Sequence, residues 1–326
     1  MKKVLVIQPL HQAALRLLEE REDVAFEVVT DFSADNLLGR VMDADAITIR
    51  DAPLPTEVLE AAPRLKVISR HGVGYDNIPV DYCTSRQLPV TVVGDVNANA
   101  VAEQTMCLML AAARAGIALD YAVRRGDFAA RARILGVELR GRRLLILGFG
   151  RIGRLVAARA LAFGMQVSVF DPYAKGDAAA GVVFVDDLDE NLATADVVSL
   201  HIPLVDGNRN FLDQRRLMLL PRGAIVINTA RGGLVDEDAL LAAMACGHIR
   251  AAGLDTFAKE PVPANHPMLQ ERNIVLSPHS AALTEEALLA MGLATVRNVL
   301  AGLDGTLDPA FVVNPSTLAG ACDAAQ

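Results

Sequence analysis

LLILGFGRIGRLVAARALAFGMQVSVFD, residues 144 to 171, decides how the rest of the chain is read. Leu144 to Leu147 suit a buried parallel strand. Glycines at Gly148, Gly150 and Gly153 let the chain turn sharply and let a phosphate approach the backbone. A helix opening near Arg151 then directs unsatisfied N–H groups and its positive dipole end at a pyrophosphate. The second apolar run ends in Asp171, 23 residues after Gly148. A carboxylate at that strand tip accepts hydrogen bonds from both ribose hydroxyls and repels a 2′-phosphate, so NAD is expected rather than NADP. A glycine-rich turn alone also closes ordinary loops, and Asp-Pro also marks plain strand exits. The ordered set of strand, turn, helix, strand and acid carries the reading.

The remaining composition is that of a folded protein with room for two cores. The chain has 326 residues, 52% hydrophobic and 21% charged, with a net charge of −8. That balance excludes a disordered chain, and the acidic excess argues against nucleic acid or a membrane surface as partner. Positive potential for an anionic cofactor must therefore come from helix N-termini and a few arginines. Cys83, Cys107, Cys246 and Cys322 are scattered without metal-ligand spacing, which suggests a reducing compartment and no metal. The opening MKKVLVIQPLHQ breaks at Gln8 and Pro9, too early for a signal peptide, and no apolar run approaches a membrane span. A cytoplasmic address is expected.

Residues 3 to 94 alternate strands (KVLVIQ, AFEVVT, DAITIR, KVISR, PVTVV) with helical runs (HQAALRLLEE, SADNLLGRVM). Such alternation implies parallel pairing with right-handed crossovers. Seven further strand candidates follow from Leu144: LLILG, QVSVFD, GVVFV, DVVSLH, AIVINT, AAGLD and NIVLS. The fold class expected is α/β, with two doubly wound parallel-sheet domains. The division expected is 1–97 with 285–326, and 98–284, with hinges near Gly94 to Asn99 and His279 to Glu285. Between the sheets, residues 97 to 115 read as a helix apolar around most of its circumference, suited to packing between domains or against a second subunit. Residues 120–143 read as a charged excursion between the domains. A last amphipathic helix begins near Thr284, and the segment from Asp304 crosses back to the first domain.

Ligands of such sheets gather at the carboxyl ends of strands. There stand Arg50 and the loop His71-Gly72-Val73-Gly74 in the first half, and Arg231, Glu260 and His279 in the second. Interconverting a hydroxy acid and a keto acid needs a proton donor and acceptor, a cation for the carboxylate, and a group that orients the base. Histidine titrates near neutrality, arginine forks onto carboxylates, and glutamate can orient an imidazole. Taken singly, each also reads as a loop residue, a strand-exit cap or a solvated charge.

The motifs together resemble the D-isomer-specific 2-hydroxyacid dehydrogenase family, in its D-3-phosphoglycerate dehydrogenase-like branch. They are HGVGYDNIPV, LGFGRIG with FDPY, HIPL, NTARGGLVDEDAL, GLDTFAKEP and SPHSAALTEEA, spread over almost the whole chain. The resemblance implies a flavodoxin-like substrate domain, a Rossmann NAD domain and a homodimer acting on a small 2-keto or 2-hydroxy acid, such as phosphohydroxypyruvate, hydroxypyruvate or glyoxylate. It implies that His279 is the general acid/base, Glu260 its partner and Arg231 the carboxylate cation. Val73 and Gly74 would help hold the carboxylate through their backbone. Arg151, Ile152, Asp171, His201, Pro203, Thr229, Ala230 and Asp255 would contact the cofactor, Asp255 near the carboxamide. Arg50 resembles an arginine that reaches a substrate phosphate in the phosphoglycerate enzymes, but Asp51 follows it where the family has a small neutral residue. His71 stands where a small residue is usual and reads as a further donor to the pocket, the reading preferred, or as a filler of the loop. Ser280-Ala281-Ala282 replaces a common Ile-Gly or Leu-Gly beside the nicotinamide. Two other functions are weighed: an NAD(H)-gated binding protein of the corepressor type, and a dehydrogenase of another small anion such as formate or phosphite. The chain as given is too short for the serine-binding regulatory domain of the long relatives, so feedback of that kind is not expected.

Overall fold

The computed structural model describes residues 1–174 and 180–318; Cys322 and the end of the C-terminal tail lie outside them. The chain divides into two compact units, Met1–Asn97 with Thr284–Gln326, and Ala98–Leu283.

In chain order the first unit begins β1 (Lys2–Ile7), α1 (Gln12–Glu19), β2 (Val24–Val29), α2 (Ala34–Val41), β3 (Ala46–Ile49), α3 (Thr56–Glu60), β4 (Val67–Arg70), α4 (Val80–Ser85) and β5 (Val90–Thr91). The second runs α5 (Ala98–Ala113), α6 (Gly116–Arg124), β6 (Arg143–Leu147), α7 (Arg151–Ala162), β7 (Gln166–Phe170), β8 (Val182–Phe184), α8 (Leu188–Leu192), β9 (Val197–Leu200), α9 (Gln214–Leu219), β10 (Ala224–Asn228), α10 (Glu237–Ala245), β11 (Ile249–Leu254) and β12 (Ile274–Leu276). Helix α11 (Glu285–Asp304) returns to the first unit.

The first sheet is ordered β2-β1-β3-β4-β5, the flavodoxin-like winding, with all pairs parallel. The second is ordered β12-β11-β10-β9-β6-β7-β8, a Rossmann winding with one extra strand. The order reverses between β6 and β9, so the crevice for a ligand opens beyond Leu147 and Leu200. Alternation along β6 explains why the strand is apolar throughout. Leu145 and Leu147 enter one core with residues of α8, α9 and α10, while Leu144 and Ile146 enter the other with α5 and α7. The strand buries both faces, and its sequence therefore shows no polar alternation.

Three expectations change. Helix α5 packs against α7, β10, β11 and β12 of its own unit, so its apolar circumference is spent there. Residues 120–143 are part of the second unit, where α6 continues from α5, and they form no linker between domains. Helix α11 is also long and apolar enough, by length and composition, to cross a membrane. Its Val296, Val299 and Leu303 instead join Val4, Val6 and Val67 in a core of the first unit. Thr284 caps it, its hydroxyl accepting the Ala287 N–H at 3.1 Å, and Gly305 ends it at φ +72°. Beyond it the chain does return to the first sheet: Val312 bridges Thr91 antiparallel, and Asn314 accepts the Val90 N–H at 2.8 Å.

Candidate active site

The crevice of the second unit is shaped by the absence of side chains. Gly148 has φ +95°, and a Cβ there would stand 2.7 Å from the His201 carbonyl oxygen. A Cβ on Gly153 would strike the Gly148 carbonyl, so helix and turn close only on glycine. Gly150 caps α7 with extended backbone and no side-chain hydrogen bond, leaving first-turn N–H groups for an anion. Arg151 is exposed and Ile152 half-buried in that turn. Asp171 is fixed from both sides: Oδ2 accepts the Phe149 N–H at 2.7 Å, and Oδ1 accepts those of Tyr173 and Ala174 at 2.9 and 3.1 Å. The carboxylate thus ties the tip of β7 to the glycine turn. A glycine cradle, an uncapped helix end and a pinned acid are the donor set that NAD requires, and the residues fit it.

Around the crevice, His201 shares a 2.9 Å hydrogen bond with Ser199, and burial lowers its pKa to about 3, so it stays neutral. Thr229 turns its hydroxyl to Thr105 at 2.8 Å, while Ala230 is half-buried and Pro203 exposed.

The polar trio comes together at the ends of β10, β11 and β12. His279 Nδ1 lies 2.7 Å from Glu260 Oε2, and Glu260 Oε1 accepts the Phe257 N–H at 2.9 Å. Burial pushes the Glu260 carboxyl up. The His279 hydrogen bond, the Phe257 N–H and the charges of His279 and Arg231 outweigh it and hold the group below its ordinary value. Glu260 is therefore an anion that accepts the Nδ1 proton, leaving Nε2 for exchange with a ligand. Arg231 is held by its main chain, its carbonyl accepting the Asn228 amide at 2.8 Å. Gly232 follows because a Cβ there would overlap the Phe257 backbone. The two loops that carry Arg231 and Glu260 meet through that glycine.

Asp255, expected near the cofactor carboxamide, braces the loop around His279. It is 0% exposed. Oδ1 accepts the Ser277 hydroxyl at 2.5 Å and the Ser280 N–H at 2.9 Å, and Oδ2 accepts the Ala281 N–H at 2.9 Å. The carboxylate is spent on the loop around His279. Ser277, Asn228 and Gly232 were not singled out by sequence reasoning, although each lies within three residues of a residue that was.

Arg50 and the loop from His71 to Gly74 belong to the first unit. Arg50 donates to the Pro9 carbonyl at 3.2 Å. Asp51 accepts the Gln8 amide at 2.6 Å, and Gln8 in turn accepts the Ala52 N–H at 3.0 Å. Burial raises the Asp51 carboxyl, and the Gln8 hydrogen bond with the charges of Arg50 and Arg70 more than offsets this, so it is ionised. His71 is 3% exposed, which removes it from the role of a displayed donor. Burial, with Arg50 and Arg70 nearby, lowers its pKa to about 4, so its imidazole is a neutral filler of the loop. Gly72 is favoured by its φ of +147°, a backbone conformation that residues with a Cβ rarely adopt. Val73 is exposed and Gly74 half-buried, and among the described residues no backbone carbonyl takes the N–H of either.

Residues 106–281, more than half of the chain, match the family model described as D-isomer specific 2-hydroxyacid dehydrogenase, NAD binding domain, and the chain belongs to that family. Among its relatives, it is 41% identical over 319 residues to the D-3-phosphoglycerate dehydrogenase of Methanocaldococcus jannaschii, covering 97% of this chain and 60% of that one. It is 36% identical to the glyoxylate reductase of Thermofilum pendens, covering 95% and 94% of the two chains. A solved D-lactate dehydrogenase from Aquifex aeolicus, complexed with NAD and lactic acid, is 30% identical with a TM-score of 0.84, over 95% of this chain and 99% of that one. The chain spans about six-tenths of the length of the phosphoglycerate dehydrogenases it matches.

Proposed function

We propose that the protein is an NAD-dependent oxidoreductase that interconverts a small D-2-hydroxy acid and its 2-keto acid. The observation that carries this reading is the 2.7 Å pair of His279 and Glu260, with Arg231 on the neighbouring loop. NADH, held by the glycine turn, the α7 N-terminus and Asp171, would supply the hydride for the carbonyl carbon. His279 donates a proton from Nε2 to the carbonyl oxygen, and Glu260 keeps the ring oriented through Nδ1. Arg231 holds the substrate carboxylate and opposes the negative charge that develops on the oxygen. In the oxidation direction the same nitrogen removes the hydroxyl proton. In the first unit, Arg50 and the N–H groups of Val73 and Gly74 are the groups assigned to substrate.

Asp51 beside Arg50 favours an uncharged or singly charged tail over a phosphate, which points to hydroxypyruvate or glyoxylate ahead of phosphohydroxypyruvate. The test is NADH oxidation with these three, pyruvate and bulkier 2-keto acids. Turnover of at least one supports the reading, and tight NADH binding without turnover of any contradicts it.

The homodimer reading moves from α5 to the segment that follows. Ile117, Tyr121, Val123, Phe128 and Leu135 are large apolar residues left between 48% and 68% exposed. Such a concentration marks an interaction surface, and a second copy is the occupant proposed. Phe128→Asp lowers the mass measured by light scattering if that is so. The cytoplasmic reading is supported by Cys83, Cys107 and Cys246, which are free thiols.

A further inference from the structure

We infer that Asp255, Ser277 and Gln104 act as positioning residues, forming a relay of one buried and two half-buried side chains that sets the geometry of the histidine loop; the inference rests on His279 as the acid/base. His279 has φ +51°, a left-handed conformation that is unfavourable for a residue with a Cβ. The loop must therefore be held from outside itself. Asp255 does so at two levels. Its main-chain carbonyl accepts the His279 N–H at 2.7 Å, and its carboxylate gathers Ser277, Ser280 and Ala281, residues on both sides of the histidine. The Asp255 N–H donates to the Asn228 carbonyl at 2.9 Å, which anchors the brace to β10.

A buried carboxylate is costly unless it is matched, and three donors match this one. The third link reaches another element. Gln104, on α5, donates from Nε2 to Ser277 Oγ at 3.1 Å, and the Ser277 hydroxyl donates to Asp255 at 2.5 Å. With its oxygen accepting from Gln104, Ser277 has only one direction left for its proton, toward Asp255. The chain from Gln104 through Ser277 and Asp255 thus ties the histidine loop to the helix packed across β10, β11 and β12. The carboxylate so engaged, 0% exposed, acts on the loop that carries His279.

The experiment compares Ser277→Ala, Ser277→Thr, Gln104→Leu and Asp255→Asn in the full chain. Ser277→Ala is expected to lower kcat about tenfold at saturating NADH, since a misplaced acid/base is penalised steeply, with the NADH Kd held within about twofold. Its kcat–pH profile shifts, and Ser277→Thr, which keeps the hydroxyl, restores both. Gln104→Leu moves kcat in the same direction by less. Asp255→Asn turns an amide toward backbone donors and loses more than Ser277→Ala. Histidine ring resonances of His279 report the Glu260 hydrogen bond without turnover, and they move in Ser277→Ala and return in Ser277→Thr. The relay is overturned if Ser277→Ala leaves kcat and those resonances unchanged, or if it weakens NADH binding with kcat intact. Absence of turnover by the wild type would count against the proposed function, while the ring resonances still decide the relay.

Discussion

Glu260 Oε2 and His279 Nδ1 stand 2.7 Å apart, although 19 residues separate them in the chain. Glu260 is held below its ordinary value by a sum that includes His279 and Arg231. The carboxylate charge is thus present at and above neutrality and is lost as pH falls through that depressed value. Glu260→Gln is expected to lower kcat by about 10- to 100-fold with NADH affinity retained, by removing the orienting anion. Steady-state kinetics with fluorescence titration of NADH checks this, and an unchanged kcat speaks against the pair.

Asp171 is pinned to Phe149, Tyr173 and Ala174, so its charge stays at one place at the tip of β7. Asp171→Ala is expected to reduce the NADH over NADPH preference in kcat/KM by about 10-fold or more, because repulsion of a 2′-phosphate is lost. Unchanged discrimination would show that another group selects the cofactor.

Asp51 is ionised and bound to Gln8, with Arg50 contributing to its field. Asp51→Ser is expected to raise kcat/KM for phosphohydroxypyruvate relative to hydroxypyruvate by about 3- to 10-fold, since it removes a charge beside the arginine. A fixed ratio would mean that Asp51 does not bear on the choice of substrate.

His71 has its pKa lowered to about 4 in the fold, against an ordinary 6.5. The unfolded chain therefore binds a proton at higher pH than the folded one. Stability is full above pH 6.5, falls as pH drops toward 4, and loses on the order of 3 kcal/mol in all from this group. His71→Asn should flatten the dependence of Tm on pH between 4 and 6.5. An identical slope in the variant would contradict the assignment.

The cofactor half of the protein was legible because its signal is local. Gly148, Gly150, Gly153 and Asp171 act within one strand-turn-helix-strand unit, and the steric reasons for two of the glycines are contacts inside that unit or with the adjacent strand. Glu260 and His279 were reachable because strand ends of a parallel sheet converge. The protein partners of Asp255, Ser277, Ser280 and Ala281, were not legible because they are set by how two loops fold over each other. His71 stood open between pocket and loop because nothing in HGVGYDN tells a buried ring from a displayed one, and its burial favours the loop. Residues 120–143 read as a linker because their charge suggests solvent. The chain there is tied to its own unit at points composition does not reveal, as where the Val137 N–H donates to the Ala113 carbonyl at 2.7 Å and the Gly141 N–H to the Gly164 carbonyl at 2.8 Å.

The most direct measurement is single-turnover and steady-state NADH oxidation by wild type and His279→Ala, using the best 2-keto acid from the panel at saturating NADH. Loss of an acid/base is expected to reduce kcat by about 10²- to 10⁴-fold. The account predicts that loss with the NADH Kd within about threefold of wild type, since the role proposed for His279 is proton exchange with the substrate oxygen and not retention of the dinucleotide. A variant that turns over at near the wild-type rate would contradict it.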